Sequence, residues 1–114
     1  MVEVKSDNSA FFDVDETLVF LSEDPHAKDV ILIAIPGFPP NAVIPNLKMI
    51  EKLKNHKGWG NGVVVWSRSG WQWAKAVVDA LGLQDHVDAV MAKPFYYYDD
   101  KKCCEFMHNH RYFK

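Results

Sequence analysis

The stretch FFDVDETLVF, residues 11–20, places two carboxylates directly after an apolar run. The apolar residues predict a short buried strand over residues 10–14, and Asp13 and Asp15 stand at its carboxyl end. Two unit charges roughly 4 Å apart repel each other by about 4 kcal/mol when the effective dielectric constant is near 20. A strand that ends in such a pair needs a compensating positive charge, which makes this strand end a candidate functional site.

The composition predicts a single globular domain over residues 1–114. Hydrophobic residues make up 48% and charged residues 25% of the 114 residues. A chain of this size and composition can form a hydrophobic core without disulfide bonds or a structural metal ion. The formal net charge of −2 gives no strong basic field and weakens a purely nucleic-acid-binding function. The neighbouring Cys103 and Cys104 are poorly placed for an ordinary disulfide, and residues 1–10 contain no apolar signal core. We therefore expect a reduced, cytoplasmic protein without a membrane segment.

Strands that alternate with helices predict an α/β fold with a parallel sheet. Residues 29–44 are expected to form a hairpin around the proline-rich turn PGFPPN. The expected strands are 10–14, 29–35, 62–67, 88–92, 95–99 and 111–113, and the expected helices are 45–56, 71–81 and a short one over 101–109. The four tryptophans are expected in the core or at its rim, with stacking on a base as the alternative.

Ligands of such sheets bind beyond the carboxyl ends of the strands. The residues expected there have polar or charged side chains beside a strand end: Asp13, Asp15, Ser67, Lys93, Asp99 and Asp100. A divalent cation together with Lys93 would balance the acids. The oxygen-rich set of ligands favours Mg²⁺ over Zn²⁺.

Four of these segments resemble, in the same order, the motifs of phosphatases of the haloacid dehalogenase superfamily. DVDET, residues 13–17, resembles the DxDxT signature, and VVVWS, which closes at Ser67, resembles the second motif. Lys93 resembles the lysine of the third motif, and YYYDD, residues 96–100, resembles the fourth, a strand that ends in paired acids. The resemblance covers about residues 10–100.

The resemblance implies a three-layer, Rossmann-like domain with a small parallel sheet and helices on both faces. A short β-hairpin flap, about residues 29–44, would stand in place of the cap domain that larger members of the family carry. With only this flap above it, the site is expected to be relatively open.

The resemblance also implies a Mg²⁺-dependent phosphomonoester hydrolase that forms an aspartyl-phosphate. Asp13 would attack phosphorus, and Asp15 would protonate the leaving oxygen and then activate the hydrolytic water. Ser67 and Lys93 would bind the substrate phosphate. Arg68, which directly follows Ser67, could also reach it, and the alternative is a surface arginine.

The metal ion would be bound by Asp13, by the backbone carbonyl of Asp15, and by Asp99 or Asp100. Capping of the next helix is the alternative role for one of Asp99 and Asp100, and capping of α-helix 71–81 is a further role for Ser67. For Lys93 the alternative is a solvated loop residue.

Two other functions stay open from the sequence. One is a non-catalytic module of the same fold that binds a phosphorylated partner, and the other is a phosphotransferase that uses the same intermediate. The substrate could be a small molecule, a nucleotide, a nucleic-acid end or a phosphoprotein. Capping of the open site by a neighbouring subunit would make the protein a homo-oligomer.

Overall fold

Residues 3–110 are described by a computed structural model that contains two small sheets and two helices. In chain order the elements are β1 (Ser9–Asp13), β2 (Val19–Leu21), β3 (Ile31–Ile33), β4 (Asn41–Pro45), α1 (Leu47–Gly58), β5 (Gly62–Ser67), α2 (Trp71–Ala80) and β6 (Ala89–Ala92). Short 3₁₀ turns lie at Gln84–His86 and Cys103–Glu105. In the part of the chain described, no helix is long and apolar enough to cross a membrane.

The parallel sheet has the order β1-β5-β6, which confirms the expected α/β class. β5 forms its centre, and its unbroken run of valines fits a strand that is hydrogen-bonded on both edges. Phe12 lies opposite Val65 and Asp13 opposite Trp66, so Ser67 extends one residue beyond the end of β1. Ser67 in turn lies opposite Ala92, at the end of β6. The carboxyl ends of all three strands therefore meet at one edge of the sheet.

The hydrophobic core lies on one face of this sheet. Its members come from the sheet and from both helices: Phe12, Val63 and Val65, with Met49 and Leu53 of α1 and Trp73, Ala74, Val77 and Val78 of α2. Helices were expected on both faces, but within residues 3–110 both helices pack on this one. The chain crosses the sheet in one direction, from β1 through β5 to β6, and right-handed crossovers in one direction put their helices on the same side.

Within residues 3–110, the other face of the sheet carries apolar side chains, and no helix packs on it. Phe11 packs against Trp66, with ring centroids 4.5 Å apart, and Met91 lies opposite Trp66 in β6. Phe11 and Met91 remain 38% and 37% exposed. Of the other tryptophans, Trp73 belongs to the core, whereas Trp59 and Trp71 are exposed, against the expectation of core or rim.

The second sheet is antiparallel, with the order β2-β4-β3, and we call it the flap. The hairpin expected over residues 29–44 is present as β3 and β4. β2, which was not predicted, pairs with the other edge of β4 through Leu21 and Val43. Val19, Ile33 and Val43 are buried, so one side of the flap is anchored in the core.

The C-terminal part of the described chain departs from the sequence predictions. The strand expected over 95–99 does not form, and the helix expected over 101–109 is reduced to the turn Cys103–Glu105. Tyr98 is 94% exposed, and its neighbours are exposed as well. Aromatic residues favour strands mainly by packing on neighbours, and the four aromatic residues at 95–98 are all at least 54% exposed. The strand expected at 111–113 lies outside the described residues.

Asp88 joins α1, β5 and the start of β6. One carboxylate oxygen accepts from Lys57 Nζ at 2.7 Å, and the other accepts from the Val63 N–H at 2.8 Å. The Asp88 N–H also donates to the Val63 carbonyl at 2.8 Å. The hydrogen bond from Lys57, assisted by that from Val63, lowers the pKa of Asp88 below its ordinary value, although partial burial opposes the shift.

We predict that Asp88→Asn loses stability on the order of 1 kcal/mol at neutral pH, because it replaces a charge-assisted pair by a neutral one. The folded-state pKa of Asp88 lies below the unfolded-state value, so the carboxylate stabilises the fold above that value. The stabilisation is lost as pH falls through the lowered pKa. Urea denaturation at pH 7 and about pH 3 measures this, with Asp85→Asn on the nearby exposed turn as the control. A difference from wild type that does not shrink in acid would contradict the assignment.

Candidate active site

The chain reverses direction immediately after β1 in a single tight turn. The Val14 carbonyl accepts hydrogen bonds from the N–H groups of Thr17, Leu18 and Val19, at 3.2, 2.9 and 3.2 Å. Glu16 adopts a left-handed conformation with φ of 61° and donates its N–H to the Val19 carbonyl at 2.8 Å. Val14, Leu18 and Val19 are fully buried, which fixes the turn against the core. The acids on either side of Val14 are thus attached to a rigid backbone.

Asn46 connects this turn to α1. Its side-chain Nδ2 donates to the Thr17 carbonyl at 2.8 Å, and its backbone N–H donates to the Leu18 carbonyl at 2.9 Å. Its Oδ1 accepts from the Met49 N–H at 3.5 Å as the N-cap of α1. One side chain therefore positions both the start of the helix and the turn that carries the acids.

Asp13 lies at the carboxyl end of β1 beside a cation. Lys93 Nζ is 4.0 Å from Asp13 Oδ1, and both side chains are partly exposed. The Lys93 backbone N–H donates to the Ser67 carbonyl at 2.9 Å, which fixes the position of the lysine next to β5. Its ammonium group also lies 5.8 Å from the centre of the Trp66 ring. The positive charge that we expected near the two acids is therefore present beside Asp13, as the ammonium group of Lys93.

Asp15 faces α2 and has different partners. The Trp73 indole N–H donates to Asp15 Oδ1 at 2.9 Å, and the Ser69 hydroxyl donates to Oδ2 at 3.4 Å. Trp73 is only 6% exposed, so this donor projects from the core. The sequence had placed Trp73 in the core by its helical spacing but gave no sign of this bond. The signal that could have suggested this bond is a side chain with an N–H donor, Trp73, in the first turn of the helix that follows a strand end.

Ser67 and Arg68 follow at the end of β5. Ser67 is 1% exposed, and its hydroxyl accepts the Ser69 N–H at 3.0 Å. The expectation that Ser67 caps α2 is wrong, because the N-cap of α2 is Gly70. Ser67 instead stabilises the turn before the helix through its bond to the Ser69 N–H. Arg68 is exposed, with its guanidinium carbon 5.3 Å from the centre of the Phe95 ring.

Asp99 and Asp100 are exposed on the C-terminal segment. Asp99 Oδ1 accepts the Lys101 N–H at 3.0 Å in a local turn, whereas the N-cap of the 3₁₀ turn Cys103–Glu105 is Lys102, so the alternative of helix capping by Asp99 or Asp100 is wrong. Within residues 3–110, no group of three or more His, Cys, Asp and Glu is arranged to hold a metal ion. Asp13, Asp15 and one of the later acids therefore do not converge as three carboxylates. The carboxylates at the end of β1 are of the kind that Mg²⁺ prefers, and this ion commonly binds through one or two of them with water completing its shell.

A pocket of about 260 Å³ opens next to Asp15. Its lining combines Asp15, Ser69 and Trp73 with four residues of the flap and its loop, Leu21, Ile35, Phe38 and Asn41. Asp13 and Lys93 lie outside its lining. The two strand-end acids thus face two different environments, a cation for Asp13 and a largely apolar pocket for Asp15.

Comparison of the chain with protein-family models gave no match, and comparison with curated proteins gave none either. What the structure defines is a small α/β domain with a three-stranded parallel sheet, two helices and a pair of acids at the end of β1. Its function is therefore argued from the geometry of that site.

We predict that Asn46→Asp destabilises the fold on the order of 1 kcal/mol, because the carboxylate keeps the cap but cannot donate to the Thr17 carbonyl. Asn46→Ala loses the cap as well and should cost more. Thermal and urea denaturation measure both, with Asn109→Asp on the exposed C-terminal segment as the control. Equal stability of Asn46→Asp and wild type would show that the bond to Thr17 contributes nothing.

Proposed function

We propose that this protein is a phosphomonoester hydrolase that acts through an aspartyl-phosphate, with Asp13 as nucleophile and Asp15 as general acid and base. The observation that carries the proposal is the separation of the two acids. Asp13 lies 4.0 Å from the Lys93 ammonium, and Asp15 lies against a pocket with hydrogen bonds to both its oxygens. The motifs that resemble haloacid dehalogenase phosphatases assign the same roles to the same two residues.

In the first step, an Asp13 oxygen bonds to phosphorus while the bond from phosphorus to the leaving oxygen breaks. Asp13 is accessible for this attack because it lies at an open strand end. Lys93 would stabilise the charge on the non-bridging oxygens. The Ser67 hydroxyl hydrogen and the exposed Arg68 would add further donors, and Arg68 would leave the Phe95 ring to do so.

Asp15 would transfer a proton to the leaving oxygen in the first step. In the second step it would take a proton from the water that attacks phosphorus, which releases Asp13 and inorganic phosphate. The Trp73 and Ser69 donors support this role, because they hold the carboxyl group in one orientation at the wall of the pocket.

Mg²⁺ belongs to the proposal as the cofactor. It would be bound by Asp13, the Asp15 carbonyl, and Asp99 or Asp100, and would neutralise charge on the phosphate. Mg²⁺ titration of the Asp99→Asn and Asp100→Asn variants would show which acid contributes. Neither carboxylate of the C-terminal segment joins the other two in the described structure, so this part of the proposal rests on the motif resemblance.

A second candidate is a non-catalytic module that binds a phosphorylated partner at the same strand ends. The cations Lys93 and Arg68 near these strand ends favour it, because such groups bind a phosphate through charge-assisted hydrogen bonds. It shares them with the first proposal but requires no turnover.

For the hydrolase we predict Mg²⁺-dependent hydrolysis of p-nitrophenyl phosphate that is lost in EDTA. Asp13→Asn should lower turnover by at least about a thousandfold, because it removes the nucleophile and changes little volume. Asp85→Asn, an exposed acid away from the site, is the control and should keep wild-type activity. Near-normal turnover of Asp13→Asn would remove Asp13 from the mechanism. No hydrolysis by wild type in any divalent metal would favour the binding module.

Trp73→Phe tests the orientation of Asp15. The variant keeps most of the buried ring but loses the N–H donor to Asp15, so we expect kcat to fall about tenfold. The loss should appear in kcat rather than in KM, since the indole N–H orients the proposed proton donor and does not bind the ester. Trp71→Phe, exposed two residues earlier, is the control. A change in stability without any change in kcat would make Trp73 a structural residue only.

A further inference from the structure

We propose that the pocket between the flap and α2 binds a planar heteroaromatic group of nucleobase size, carried on the leaving side of the phosphate ester. This inference rests on the proposed hydrolase, whose substrate class it narrows to nucleotides and similar esters. Four features of the pocket support it: its size, the exposed Phe38 in its lining, its hydrogen-bonding groups and its position relative to Asp15.

The pocket is small. Its volume of about 260 Å³ lies below the roughly 300 Å³ at which pockets for drug-sized ligands begin. A single ring system with its immediate substituents fits such a volume, whereas several residues of a polymer do not. Four of the seven lining residues are apolar, Leu21, Ile35, Phe38 and Trp73.

Phe38 is exposed on a stiff loop of the flap. Its N–H donates to the Ile35 carbonyl at 3.1 Å, and this closes a turn in which Pro36 and Gly37 are the central residues. Gly37 has φ of 86°, which such a turn requires at its third position and a side chain would strain. The two prolines after Phe38 restrict the loop further.

The ring of Phe38 is 64% exposed although it is aromatic and lines the pocket. Because the loop is already restricted, stacking of a ligand ring on Phe38 would cost the protein little conformational entropy. Every nucleobase can stack on an aromatic side chain, whatever hydrogen-bonding groups it carries.

Asn41 provides the polar group of the flap side. Asn41 is exposed and lines the pocket, and in the part of the chain that the structure describes its side-chain amide makes no hydrogen bond to another residue. An amide presents a donor and an acceptor side by side. That pair matches the edge of a nitrogen heterocycle.

The position of the pocket sets the direction of the bound ester. Asp15 forms its wall, whereas Lys93 and Arg68 are outside its lining. The phosphate is therefore expected at the cations and the ring at the flap. The leaving oxygen would then lie between them, beside the proposed proton donor.

Adenosine 5′-monophosphate and ribose 5-phosphate test the inference, because the two esters have the same leaving oxygen and differ by the base. We expect kcat/KM to be at least tenfold higher for the nucleotide, the size expected for one stacked ring. Phe38→Leu should remove most of that advantage, because it lowers kcat/KM for the nucleotide more than for ribose 5-phosphate. Phe106→Leu, an exposed ring outside the pocket, should change neither. Equal kcat/KM for the two esters would overturn the inference.

Binding distinguishes this failure from failure of the hydrolase itself. Calorimetric titration of wild type and of Phe38→Leu with the same two esters needs no turnover. If neither ester is hydrolysed but wild type binds the nucleotide at least tenfold more tightly than ribose 5-phosphate, the pocket is assigned correctly and the hydrolase is not. Equal affinity for the two esters, or the same preference in Phe38→Leu, would overturn the pocket whether or not hydrolysis is seen.

Discussion

The hydrogen bonds to the Val14 carbonyl are the constraint on which the site depends. Three successive N–H groups reach one acceptor only when the chain wraps into a single turn, and this turn buries Leu18 and Val19. β1 must therefore end at Asp13, and the flap must begin only a few residues later. The same turn directs Asp15 toward α2 and brings β2 alongside β4. The acid pair and the pocket beside it are consequences of one local structure.

The two acids differ because the elements around them come from different parts of the chain. Lys93 follows β6 and reaches Asp13, while Trp73 lies on α2 and reaches Asp15. Both α2 and β6 are positioned by β5, which precedes them in the chain and forms the centre of the sheet: α2 packs on its valines and β6 pairs with it. The chemistry proposed for the pair thus needs the whole parallel sheet, although the acids themselves are only two residues apart.

The sequence predicted those elements that the chain specifies locally. β5 is a continuous buried run, and α1 and α2 follow helical spacing, so their bounds were found to within two residues or so. β2 was missed because three residues carry little pattern and its pairing with β4 decides its conformation. The strand expected at 95–99 was wrong because pairing also decides the conformation there: the aromatic residues favour a strand, but they are exposed and do not pair with either sheet. The bond from Trp73 to Asp15 depends on where an indole N–H points, which periodicity does not report.

The connection between β1 and β5 also has a consequence for how the chain folds. Within the described chain β1 pairs only with β5, and the whole flap and α1 lie inside the loop that this pairing closes. Parallel strands cannot be joined by a tight hairpin, so β1 gains its ladder only after that long loop has closed. The flap, by contrast, is held by antiparallel pairs of shorter range. The acid-bearing end of β1 is therefore expected to be ordered late, on a scaffold assembled from later parts of the chain.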